Sequence, residues 1–220
     1  MSGRAAQEPA VERLPSWQRR SAKRFGGESL ERSKAFVDAA RDLVAEGGLE
    51  AVTLRPLLER SGLSRRAFYD RFDGMDDVLV ALYEETVEAG ANHLRKRISD
   101  IKDPVSRLER LIRSMATMSR NPASRTFMLA MTSERSRLCE LRPHELEEAG
   151  EPIIELMAEI LERGMDQGTV RPTNVQRLAA TLNSVVASEI HRNLNLRGRD
   201  KGWIDDLCDF CLNAVRHPDR

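Results

Sequence analysis

Apolar residues recur three and four positions apart through most of the chain beyond residue 28, which is the spacing of amphipathic α-helices. The first such run begins at Ser29 and ends at the Gly47-Gly48 pair, because glycine favours the end of a helix. Thr53 and Ser64 each precede a short apolar run, and we expect each to be the N-cap of a helix. The pattern therefore predicts three helices in the segment 29–74.

Breaker residues divide the rest of the chain into further helical segments. A long amphipathic helix follows Asp73-Gly74, and Asp103-Pro104 and Asn121-Pro122 each mark the start of a new segment. Pro143 and Pro152 punctuate the acidic region that follows, and helical apolar stripes continue beyond it. Because neither the alternation of β-strands nor an internal repeat is found, we expect an all-α fold of roughly nine to eleven helices.

Composition narrows the range of functions. The 220 residues are 40% hydrophobic, 32% charged and 5% aromatic, which is typical of a soluble helical protein. No run approaches the roughly 18 apolar residues of a membrane span, and the N-terminal residues lack the apolar stretch of a secretory signal peptide. We therefore expect a cytoplasmic protein with no membrane partner.

Charge is unevenly distributed, although lysines and arginines equal aspartates and glutamates at 35 each. Residues 53–72 contain five arginines against two carboxylates, whereas residues 145–166 are strongly acidic. Residues 1–28 are predicted to be a flexible arm with a basic cluster, Arg19, Arg20, Lys23 and Arg24. Basic regions suit nucleic-acid phosphates, and for the arm a minor-groove contact and a solubilising tail are both open interpretations.

Residues that carry catalysis or bind metals are scarce. Cys208 and Cys211 are three positions apart in a predicted helix, where they either pack in the core or form a metal or redox pair. No nucleophile elbow, phosphate loop or paired-carboxylate signature is found, and His93, His144 and His191 are isolated. We expect no enzymatic activity, no cofactor and no metal.

Two short helices joined by a tight turn at Gly62, within a three-helix unit, are typical of a helix-turn-helix motif. Its second helix must enter a major groove about 12 Å wide and offer donors to base edges and phosphates. The side chains expected to face outward are Ser64, Arg65, Arg66 and Tyr69. Those expected to face inward are Leu63, Ala67, Phe68 and Phe72. A helical hairpin with a solvated arginine face is the alternative at this point.

Residues 33–83 resemble the N-terminal domain of the TetR family of bacterial regulators. The resemblance rests on the Gly47-Gly48 turn, Thr53, the Ser61-Gly62-Leu63-Ser64 turn and the aromatic cluster of Phe68, Tyr69 and Phe72. It implies a homodimer that binds a palindromic DNA operator, usually as a repressor. The DNA contacts that it implies are Thr53, Arg55, Ser64, Arg65, Arg66, Phe68, Tyr69 and Arg71. One departure is Met75, which stands where the family commonly places a lysine.

The resemblance also implies a DNA-binding domain, residues 29–74, followed by a helical regulatory and dimerisation domain, residues 75–220, with a small-molecule pocket. Methionines adapt to apolar ligands, and the candidate lining residues are Met115, Met118, Phe127, Met128, Met131 and Met157. The candidate dimer residues on the last two long helices are Leu178, Leu182, Val185, Val186, Trp203, Leu207 and Phe210. For both sets, packing in the chain's own core is the alternative.

Together these features predict a DNA-binding transcriptional regulator that acts as a repressor. Its expected partners are a double-stranded palindromic operator, a second copy of the chain and a small hydrophobic effector that releases the operator. The alternative function is a helical protein-interaction adaptor whose helix-turn-helix is degenerate, and Met75 gives that alternative some support.

Overall fold

The computed structural model describes residues 27–118, 120–195 and 202–217. Within these ranges the chain forms nine α-helices, one 3-10 helix at Leu49–Ala51, and no extended strand. The helices are α1 (Gly27–Gly47), α2 (Leu54–Ser61), α3 (Arg65–Tyr69), α4 (Met75–Arg97), α5 (Pro104–Met118), α6 (Pro122–Leu141), α7 (Pro143–Asp166), α8 (Val175–Asn195) and α9 (Trp203–Val215). The all-α prediction is confirmed.

The helix boundaries follow the predicted caps and breakers with one clear exception. α1 begins slightly before the predicted start at Ser29, a difference within the fraying of helix ends. Pro152, predicted to punctuate the acidic region, instead lies inside α7. The helix continues because Ala149, Ile153 and Leu156 form one buried stripe across the proline. Burial of this stripe offsets the cost of an interior proline, about 3 kcal/mol.

The chain divides into two compact units. Among the described residues, the first unit contains those from Gly27 to Glu88 together with Ser133–Ala149, and the second contains those of Ala89–Thr132 together with those from Gly150 to His217. α4, α6 and α7 each contribute residues to both units. No helix in the part of the chain that the structure describes is long and apolar enough to cross a membrane.

An aromatic cluster forms the core of the first unit. The rings of Phe36 in α1 and Phe68 in α3 meet edge to face, with centroids 5.5 Å apart, and Phe72 lies 5.9 Å from Phe36 in the same arrangement. α1 also packs against α2, where Leu57 is fully buried. These contacts hold one face of α3 against the core and leave the other face to solvent.

The second unit is built around α5, α8 and α9, which pack against one another. Arg113 of α5 donates to Asp205 of α9 at 2.6 Å. Cys208 and Cys211 of α9 are fully buried, and burial raises the pKa of each thiol to about 11. The two cysteines therefore pack in the helical core, as the first of the two sequence interpretations expects.

Candidate nucleic-acid interface

The turn between α2 and α3 is fixed by a glycine and a serine. Gly62 adopts a left-handed conformation, with φ 68° and ψ 14°, and its N–H donates to the Leu58 carbonyl at 3.1 Å. Other residues are disfavoured at this φ, so glycine lets the chain turn directly after α2. The Ser64 hydroxyl accepts from the Ala67 N–H at 3.1 Å, which confirms the predicted N-cap of α3.

The start of α2 differs from the prediction in one detail. Thr53 occupies the N-cap position with an extended backbone, and its carbonyl accepts from the Leu57 N–H at 3.0 Å. The predicted N-cap position is therefore confirmed, although the Thr53 side chain makes no capping hydrogen bond. Pro56 is the third residue of the helix and has no N–H to offer such a cap. The Thr53 side chain is exposed.

Phe68 belongs to the core of the first unit. Its side chain is 1% exposed, and its ring lies against those of Phe36, Phe72 and Tyr69. A ring enclosed in this way cannot reach DNA while the unit is folded. We therefore remove Phe68 from the set of DNA contacts implied by the family resemblance. Phe68 packs in the core and holds α3 in place.

The outward side of α3 carries Arg65, Arg66 and Tyr69. Both arginine side chains are exposed, and neither has a hydrogen-bond or ion-pair partner among the described residues. Tyr69 is 52% exposed, and its ring meets Phe68 edge to face at 5.2 Å. This face therefore offers two uncommitted guanidinium groups and a phenol. The predicted basic arm, with Arg19, Arg20, Lys23 and Arg24, lies outside the described residues.

Two other arginines of the segment 53–72 are committed to contacts within the first unit. Arg60 pairs with Glu46 at 2.6 Å and lies 3.8 Å from Asp42, so it joins α2 to α1. Arg71, predicted to contact phosphate, donates to the Ala67 carbonyl at 2.7 Å. Sequence reasoning counted Arg60 only toward the local positive charge and placed Arg71 among the DNA contacts, because the pattern does not reveal which arginines have partners within the folded chain.

Arg55 is the exposed arginine of α2. Its Nε donates to Glu59 Oε1 at 2.8 Å, one turn further along the helix, and its side chain is 89% exposed. The hydrogen bond from Arg55 to Glu59, and then the charge of Glu59, raise the pKa of Arg55. An ion pair this exposed contributes little to stability, so a phosphate can replace the carboxylate.

The first turn of α4 is acidic, and arginines from later in the chain bind it. Asp76 pairs with Arg137 of α6 at 2.7 Å, and Asp77 pairs with Arg142 at 3.3 Å. The hydrogen bond from Arg137 lowers the pKa of Asp76. Sequence reasoning missed these pairs because the partners Asp76 and Arg137 are 61 positions apart. Met75, where the resemblance implies a lysine, is half-buried beside them.

The predicted pocket residues lie on α5, α6 and α7 of the second unit. Met131 and Met157 are buried. The half-buried members are Met115, Met118, Phe127 and Met128. A cavity found in this unit has a different lining, formed by Pro104, Arg107, Glu159, Ile160 and Arg163.

The predicted dimer residues fall into two groups. The residues buried within a single chain are Leu182, Val186, Trp203 and Leu207. Leu178 and Val185 are half-buried, and Phe210 is 62% exposed. Leu178 and Val185 are two helical turns apart and so share a face of α8.

A three-helix unit whose capped third helix presents arginines without partners in the described part of the chain is typical of a helix-turn-helix, and the fold and the site define a DNA-binding protein of this class. Residues 36–82 match the family model described as bacterial regulatory proteins, tetR family. The chain is 26% identical over 152 residues to YfiR, an uncharacterized HTH-type transcriptional regulator of Bacillus subtilis (strain 168), covering 68% of this chain and 72% of that protein. The chain therefore carries a DNA-binding domain of the tetR family at residues 36–82, which supports a role as a DNA-binding transcriptional regulator.

Solved structures share the fold over most of the chain. SmeT, the repressor of the multidrug efflux pump SmeDEF of Stenotrophomonas maltophilia, is 25% identical with a TM-score of 0.59, covering 84% of this chain and 91% of that one. FadR of Bacillus subtilis, in complex with stearoyl-CoA, is 14% identical with a TM-score of 0.62, covering 83% of this chain and 99% of that one. The likeness therefore extends well beyond the helix-turn-helix.

Proposed function

We propose that the protein is a homodimeric repressor that binds a palindromic operator and is released by a small apolar effector, so that it acts by binding and not by catalysis. The observation that carries the proposal is a pair of exposed arginines, Arg65 and Arg66, which have no side-chain partner among residues 27–118, 120–195 and 202–217 and lie on a helix whose start Ser64 caps. SmeT, which shares the fold, is itself a repressor. A duplex DNA partner implies that the protein acts in the cytoplasm.

In the proposed complex α3 enters the major groove. An arginine can bond guanine O6 and N7 together, which makes Arg65 and Arg66 the residues that read sequence. The proposed phosphate contacts near them are made by Thr53, Arg55 and Tyr69. Contacts of this kind position the protein on the duplex without specifying sequence. Arg71 is less available to bind a phosphate because its guanidinium already donates to the Ala67 carbonyl. Residues 29–74 thus form the DNA-binding domain of the proposal, and residues 75–220 the regulatory domain.

A second copy of the chain supplies the second recognition helix that a palindrome requires. We assign the contact surface to Leu178 and Val185 of α8 and to Phe210 of α9, because these apolar side chains are not buried by their own chain. Of the predicted set, the buried residues such as Leu182 and Trp203 position the two helices from within the chain.

The effector of the proposal is a small apolar molecule held by the half-buried side chains of α5 and α6, such as Met118, Phe127 and Met128. FadR, which shares the fold, binds stearoyl-CoA, so a long acyl chain is a suitable first probe. An effector shifts the equilibrium only if it binds the DNA-competent and incompetent states with different affinity. Release of a labelled operator by an apolar ligand, abolished in a folded Met128→Lys variant, is the expected result.

The central experiment selects genomic fragments with the purified full-length chain and then titrates the selected duplex at several salt concentrations. We expect the logarithm of the affinity to fall linearly with the logarithm of the salt concentration, because phosphate contacts release counterions. Arg66→Ala should cost about 1–3 kcal/mol and relax the sequence preference. Tyr69→Phe should weaken binding to all duplexes alike. Arg110 is an exposed arginine of α5, and Arg110→Ala is the matched control for Arg66→Ala.

The absence of any bound fragment at low salt, with and without candidate effectors, would overturn the regulator mechanism and favour the adaptor. For the dimer, Val185→Glu should give monomers in sedimentation, because it places a charge in the proposed apolar contact. Gln176→Glu adds the same charge to an exposed position of α8 and should leave the dimer intact. A Val185→Glu variant that stays dimeric would place the interface elsewhere.

A further inference from the structure

A small cavity of about 20 Å³, partly open to solvent, lies in the second unit between the start of α5 and the C-terminal part of α7. Its lining is formed by Pro104, Arg107, Glu159, Ile160 and Arg163. Two of these five side chains are arginines and one is a carboxylate. None of them belongs to the predicted apolar pocket, and the proposed DNA contacts do not involve them.

The two arginines of this cavity are not neutralised within the described residues. The Nε of Arg107 is buried and has no hydrogen-bond partner there. Arg163 is exposed and has no ion-pair or side-chain hydrogen-bond partner in the same part of the chain. A buried donor without an acceptor is unfavourable, and proteins normally satisfy it with an acceptor from protein, water or ligand.

The carboxylates near the cavity are already engaged. Glu159 accepts from Arg95 at 3.1 Å, so the single acidic residue of the lining is shared with a third arginine. Asp103, just before α5, accepts from the Ser106 hydroxyl and from the Ser106 N–H, the latter at 2.7 Å, and first the hydroxyl bond and then the N–H bond lower the pKa of Asp103. The lining itself therefore holds two guanidinium groups against one carboxylate, and that carboxylate is shared with Arg95.

We propose that this cavity binds a small oxyanion, the carboxylate or phosphate group of a ligand, between Arg107 and Arg163. Guanidinium groups bind such anions with paired, charge-assisted hydrogen bonds. The bound oxygen would supply the acceptor that the Arg107 Nε lacks. The N-terminal end of α5, which begins at Pro104 in the lining, adds a favourable partial charge. This site is independent of the proposed function, since its occupancy can be measured without DNA.

The test titrates the full-length chain with sodium phosphate and, separately, sodium acetate in a chloride buffer of constant ionic strength. Calorimetry gives the affinity, and the ¹⁵N-resolved arginine Nε–H resonances report the site. We expect saturable binding of at least one anion in the millimolar range, with a shift of the Arg107 Nε–H resonance. The two titrations distinguish a phosphate site from a carboxylate site.

Arg163→Gln removes an exposed guanidinium and should weaken the anion roughly tenfold without unfolding the protein. Arg110→Gln is the matched control, because Arg110 is an exposed arginine of α5 outside the lining, and it should bind the anion as the parent does. Glu159→Gln removes a competing charge and should tighten binding. The proposal is overturned if neither anion saturates the protein, or if Arg163→Gln binds as tightly as Arg110→Gln.

Discussion

Replacing Phe68 by alanine tests whether this residue acts through the core or at the DNA. The ring is 1% exposed and packs against Phe36, Phe72 and Tyr69, with the Phe36 centroid 5.5 Å away. Truncation of a buried phenylalanine to alanine costs about 3–5 kcal/mol, and each aromatic edge contact accounts for about 0.5–1.5 kcal/mol of such packing. We expect the first unit to lose this stability, and DNA affinity to fall because α3 is no longer held in place.

Hydrogen exchange measured by mass spectrometry shows where stability is lost, because peptides of α1 and α3 report the opening of the first unit. A loss of 3–5 kcal/mol should accelerate their exchange by about two to four orders of magnitude. Phe68→Leu keeps the apolar burial and should recover most of the protection. Tyr69→Phe is the contrasting control, since it should lower DNA affinity at unchanged exchange. Lost DNA binding with unchanged exchange in Phe68→Ala would refute this reasoning.

Two further substitution tests, at Glu59 and Ser64, and one cysteine-labelling reaction test other parts of the chain. Glu59→Gln should tighten DNA binding several-fold in a mobility-shift titration, because it removes a carboxylate near the phosphates and releases Arg55; equal or weaker binding would contradict this. Ser64→Ala should lower the free energy of unfolding in urea by about 1 kcal/mol through loss of the N-cap, and Ser64→Asn should restore it. A maleimide at mildly alkaline pH should label the exposed Cys139 but not the two α9 cysteines, which are buried and have raised pKa values; rapid labelling of all three in the folded protein would argue against that core.

The turn between α2 and α3 was predictable because its causes are local. Gly62 and Ser64 act through hydrogen bonds to residues at most four positions away, so the sequence pattern alone contains the information. The missing side-chain bond at Thr53 also has a local cause: Pro56 has no N–H at one of the two positions that an N-cap side chain can bond, and the sequence already contained that information.

Contacts between distant elements were not predictable in the same way. The bond from Arg60 to Glu46 spans 14 positions, and no spacing rule selects that carboxylate over others nearby. The contacts of the apolar stripe of α8 could not be predicted either, because periodicity identifies an apolar face but not the neighbour that covers it. Leu182 is buried by its own chain and Val185 is only half-buried, although their sequence contexts are similar.

The start of α4 bears most directly on how this regulator would hold DNA. A helix N-terminus attracts phosphate through its partial positive charge, but here Asp76 and Asp77 lie in that first turn and Met75 adds no cation. Arg137 and Arg142 hold the two carboxylates, so the same arginines are not free to bind phosphate in their place. The phosphate contacts of the proposed complex therefore fall on α2 and α3. This makes the exposed arginines of those helices more important than the family resemblance alone implies.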